Sequence, residues 1–73
     1  MRRIMSIMVS VESDTVCTDN DIYRVEVATG GVLPGVWQER LSVSREMPGA
    51  IVGDAIEHSI RRVFRVAKDH IKP

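Results

Sequence analysis

Apolar and polar residues alternate at the start of this chain. Met5, Ile7, Val9 and Val11 fall on one side of an extended backbone, and Ser6, Ser10 and Glu12 fall on the other, with Met8 among them. A period of two is the signature of a strand with one buried face. Residues 13–21 are rich in Ser, Asp, Thr and Asn and read as a loop. Alternation then resumes, with Tyr23, Val25 and Val27 inward and Arg24 and Glu26 outward. β-Branched and aromatic residues at these positions favour a strand. Gly30, Gly31, Pro34 and Gly35 interrupt the pattern. Pro34 and Gly35 suit the two central positions of a type II turn, since proline presets φ and glycine accepts a positive one. A third strand is expected over 36–44. Trp37, Leu41 and Val43 share one face with a single charged intruder, Glu39, while Gln38, Arg40, Ser42 and Ser44 take the other.

The period changes after Pro48. Val52, Ile56, Ile60, Val63, Ala67 and Ile71 recur at steps of four and three, the stripe of an amphipathic helix, and Ala55 and Phe64 widen it. Asp54, Glu57, His58, Arg61, Arg62, Arg65, Lys68 and Asp69 hold most of the other face. The spacing predicts a helix over 55–71, extending back toward Pro48, which suits a first helical position. Asp54 and Glu57 have the spacing of a capping box further in. Gly49 and Gly53 weaken the first turns by about 1 kcal/mol each relative to alanine.

These elements predict one α+β domain over 1–73: a three-stranded antiparallel meander with one long C-terminal helix packed on one face, in two layers. Both strand connections are shorter than the dozen or more residues of a parallel crossover. The expected core sets Trp37, Tyr23 and Val25 against Ile56, Ile60 and Val63. A helix over 48–72 is about 36 Å long, whereas strands of about eight residues reach only about 27 Å. The last turns, carrying Phe64, Val66 and Ile71, are therefore expected to overhang the sheet. Exposed apolar area of that kind commonly marks an association site.

Composition sharpens the need for a partner. At 73 residues with a single cysteine, Cys17, the chain has no internal disulfide and no clustered Cys/His ligand set. Domains this small usually add a staple or a second chain to a marginal core. The 44% hydrophobic and 27% charged fractions are those of a folded globular domain. Ten basic and ten acidic residues give zero net charge, unlike a strongly basic nucleic-acid binder or an acidic mimic of nucleic acid. Arg2 and Arg3 precede an apolar run, but serines break it and Glu12 ends it, unlike a secretory leader. No stretch approaches the roughly 20 apolar residues of a membrane span, and one unpaired cysteine fits a reducing cytoplasm.

Candidate chemistry is sparse. Cys17 lacks a neighbouring cation in sequence to activate it. His58 and His70 are twelve residues apart on one helix, about 18 Å along its axis, too far to share a metal. Asp54 and His58 supply at most two ligands where zinc needs three or four. Asp14, Asp19, Asn20 and Asp21 lack the spacing, glycine and terminal glutamate of an EF-hand loop. The glycine pairs lack phosphate-loop spacing. No catalytic residue, cofactor or metal is expected.

The most suggestive feature is a basic stripe of Arg61, Arg62, Arg65, Lys68 and Lys72. It could contact phosphates without reading sequence, but cations near a helix C-terminus also complement its dipole. Three strands followed by a helix resemble, in architecture, the small DNA-binding domains of the integrase arm-binding and AP2-like types, which lay a sheet face in the major groove. Here the outward face mixes Arg24 and Arg40 with Glu12 and Glu26, a poor surface for phosphates. The expected function is a non-enzymatic interaction module. It would be a homodimer or would bind another protein, as accessory and inhibitor proteins of phages and mobile elements do, with Phe64, Val66 and Ile71 at the contact. A nucleic-acid binder and a small enzyme subunit completed by a partner chain are the alternatives.

Overall fold

The computed structural model describes residues 5–31 and 34–71. Lys72, Arg2 and Arg3 lie outside these. The described chain forms β1 (Met5–Ser13), β2 (Asn20–Thr29), β3 (Gly35–Ser44) and α1 (Gly49–Ile71). The strands make one antiparallel sheet in the order β1-β2-β3, and the fold is the α+β arrangement expected.

The register sets the inner face in rows. Ile7 lies opposite Val27 and Val27 opposite Trp37; Val9 lies opposite Val25 and Val25 opposite Glu39; Val11 lies opposite Tyr23 and Tyr23 opposite Leu41. Val25 and Val27 are fully buried, and with Val63 and Ala67 of α1 they form the core. Met5, Trp37, Ile56 and Ile60 pack partly against it. Tyr23 is only half-buried and stands outside this cluster, contrary to the expected core. The cluster is centred toward the C-terminal half of the helix.

The expected two-layer closure is incomplete. The backbone of α1 runs close to β2 and β3 but not to β1, of which Met5 packs against the core. Width is the cause: a helix about 10 Å across covers roughly two strands spaced about 4.8 Å apart. Ile7, Val9 and Val11 therefore remain 47, 43 and 58% exposed, although they lie on the helix side of the sheet.

The expected C-terminal overhang does not form. The strands run to 9 or 10 residues, longer than the eight assumed, and the end of the helix is docked. Ser59, Val63 and Ala67 are its buried residues, whereas no residue over 49–58 is buried. The ring of His70 sits 4.8 Å from that of Trp37, tilted by 60°.

The turn between β2 and β3 also differs. Gly31 has the positive φ, at 80°. Gly35 does not, because it is already extended in β3, paired with Thr29. The helix begins at Gly49, one residue after Pro48, which flanks it instead of taking the expected first helical position; the Pro48 carbonyl accepts from the backbone N–H of Ile51 (3.0 Å) and Val52 (3.1 Å). Asp54 is thus an interior residue of the helix and not its cap.

Candidate interaction surface

α1 offers two apolar flanks beside its buried stripe. Residues two apart on a helix are separated by about 200° around its axis, so Phe64 and Val66 point to opposite sides. Val66, 52% exposed, borders a depression with Trp37, Gln38, Glu39 and Arg62, on the β3 side. Phe64, 39% exposed, lies on the flank toward β1. Ile60 and Ile71, both half-buried, project within roughly 40° of it by helical geometry. Of the three expected contact residues, Phe64 and Ile71 share a flank and Val66 does not.

The Phe64 flank and the uncovered face of β1 border the same step, where the helix ends and the sheet continues. Ile7, Val9 and Val11 floor it. The reading from sequence missed this surface because it placed those residues under the helix. The signal was available as a width: three apolar strands against one apolar stripe.

The basic stripe is partly neutralised within the fold. Arg61 pairs with Glu57 at 2.9 Å, one turn away. Arg62 reaches across to Glu39, its Nε donating to a carboxylate oxygen at 3.2 Å and its terminal nitrogen to the other. The Arg62 guanidinium holds the Glu39 carboxyl below the usual carboxylate range, against the effect of burial. The Ser59 hydroxyl stands near enough to add to this without the geometry of a full hydrogen bond. Glu39 in turn raises Arg62. The charged intruder on the inner face of β3 is thereby satisfied by the helix lying over it. Arg65 and Lys68 make no ion pair among the described residues.

The other candidate groups have structural partners or none. Asp14 accepts from the backbone N–H of Val16 (2.9 Å) and Cys17 (3.1 Å) and from the Ser42 hydroxyl (2.8 Å). These bonds, that of Cys17 first, lower its pKa. Asp21 binds Arg45 at 3.0 Å. His58 Nδ1 donates to the Asp54 carbonyl oxygen at 2.7 Å, so the pair is a backbone contact and not two side-chain ligands. Cys17 is exposed. Among the described residues no three His, Cys, Asp or Glu side chains are grouped to hold a metal. No helix there is long and apolar enough to cross a membrane.

Comparison of the chain with protein-family models, with curated proteins and with solved structures finds no significant match.

Proposed function

We propose that this chain is a small non-enzymatic protein-interaction module that acts as a homodimer. The observation that carries the reading is the partly uncovered apolar face of β1: Ile7, Val9 and Val11 lie on the core side of the sheet yet are about half exposed, and among the described residues the helix does not extend over them. Contiguous apolar surface of this kind marks interaction sites. The size of the molecule agrees. Its accessible surface is 5486 Å², against the roughly 4,500 Å² that a compact monomer of this mass exposes. The difference, about 1,000 Å², is close to the roughly 800 Å² that each partner buries in a standard interface.

Sedimentation velocity across the micromolar range tests the reading. A concentration-dependent dimer is expected, and Phe64→Asp and Val9→Asp should shift it toward monomer while far-UV circular dichroism stays unchanged. A wild-type chain that remains monomeric throughout would remove the homodimer.

A further inference from the structure

We propose that the homodimer is built by antiparallel pairing of the two β1 edges, giving one six-stranded sheet with both helices on the same face. The proposal rests on the reading of the chain as a self-associating module and specifies the occupant of the open step as a second copy.

Three observations favour this arrangement. The first is the undefended edge. β1 is an outer strand of the sheet, and over Met5–Ser13 it carries no proline, no lysine and one charge, Glu12. Natural edges exposed to water are usually blocked by such residues. The opposite edge, β3, carries Glu39 and Arg40, and Arg62 of the helix reaches down to it.

The second is parity. Two identical strands paired about a two-fold axis normal to the sheet must match residues of the same parity, because directly opposed side chains share a face. With the axis at Val9, Ile7 meets Val11 of the second copy and Val9 meets Val9. With the axis at Met8, Ile7 meets Val9 and Met5 meets Val11. Both registers fuse the two open rows into one apolar strip. Neither sets Glu12 against its own copy.

The third is charge on the helix. Seating a second copy face to face over the step would press the outer faces of both helices, with Asp54, Arg61, Arg65 and Lys68, against an opposing sheet. Burying those charges, of which Asp54, Arg65 and Lys68 make no ion pair among the described residues, is costly. Edge pairing leaves them in water and lets the Phe64 flanks line the strip from both sides.

The outer face of β1 separates this geometry from any contact made through the helix flank. Met8 and Ser10 point away from the helix, are exposed, and touch nothing in a flank-to-flank dimer. Edge pairing sets Met8 against Ser10 in the first register and against its own copy in the second, so Met8→Lys/Ser10→Lys juxtaposes like charges in either, which destabilise a sheet when directly opposed. The dissociation constant of the dimer is expected to rise roughly tenfold or more, equivalent to about 1.4 kcal/mol. Fold retention is checked by circular dichroism.

As a second measurement, cysteine is placed at Met8, Val9 or Ser10 in a Cys17→Ser background. Opposed residues of an antiparallel pair lie about 4.5–5.5 Å apart at Cα, within disulfide reach. Covalent dimer under mild oxidation should peak at one of these positions and be absent for Phe64→Cys. A dimer that survives Met8→Lys/Ser10→Lys and fails to cross-link through β1, yet is lost with Phe64→Asp, overturns edge pairing and leaves the homodimer standing. A monomeric wild type overturns both.

Discussion

Gly35 has no side chain, and the indole of Trp37 occupies the space one would need. A Cβ built on Gly35 would lie 2.5 Å from one indole carbon and 2.9 Å from the next. The ring is not free to swing away, because it packs against the core and meets His70. Glycine inside a strand ordinarily weakens it, so alanine there is usually an improvement. At this position Gly35→Ala is expected to destabilise the fold by roughly 1–3 kcal/mol through overpacking. Trp37→Ala, which removes a partly buried ring, should cost roughly 2 kcal/mol or more. The two effects should not add: in the Trp37→Ala background, Gly35→Ala should be neutral or favourable. Additive values in urea unfolding would refute the contact. Sequence reading found Gly35 notable but assigned it to a turn. Turn propensity is a property of neighbouring backbone angles, and it carries no information about a ring folding back from two residues ahead.

The elements themselves were largely legible, because each has a clean period. The helix was visible as steps of three and four, and the strands as alternation. The docking between them was not. Glu39 read as a charge on an apolar face and Arg62 as one cation in a stripe; only the crossing of α1 over β3 brings them together. Ser59 could have been found, since it lies three residues after Ile56 and four before Val63, on the buried stripe; its polarity hid it. The Glu39–Arg62 pair makes docking sensitive to acid. A carboxylate whose pKa is lowered by folding contributes stability above its unfolded pKa, and that contribution is lost as pH falls through the lowered value. Glu39 is such a group. Thermal unfolding followed from neutral pH into the acid range should show the wild type losing its advantage over Glu39→Gln. An advantage that is unchanged in acid would show that the pair adds nothing to docking.

At the scale of the molecule, the radius of gyration is 14.1 Å and the extents are 43 × 23 × 20 Å, whereas a compact chain of this length has a radius near 11 Å. Layer order was legible in the sequence, but coverage was not, because periodicity reports which face of an element is apolar and never how many neighbours that face will meet. The uncovered position of β1 has a kinetic meaning as well. Among the described residues β2 is the one element whose backbone pairs with this strand, with Met5 packed on the core at one end and Arg45 bonded to Ser13 at the other, while the buried core itself lies within residues 20–71. β1 is therefore expected to open more readily than the remainder, as the less stable units of a native protein do. Its amides should exchange with solvent faster than those of β2 in dilute solution, and they should slow as concentration rises and a second copy closes over the edge. Equal protection of β1 and β2 in the most dilute sample would mean that the strand is bound to the domain as firmly as the core. In an edge-paired dimer, the strand least tied to its own chain would be held by another molecule.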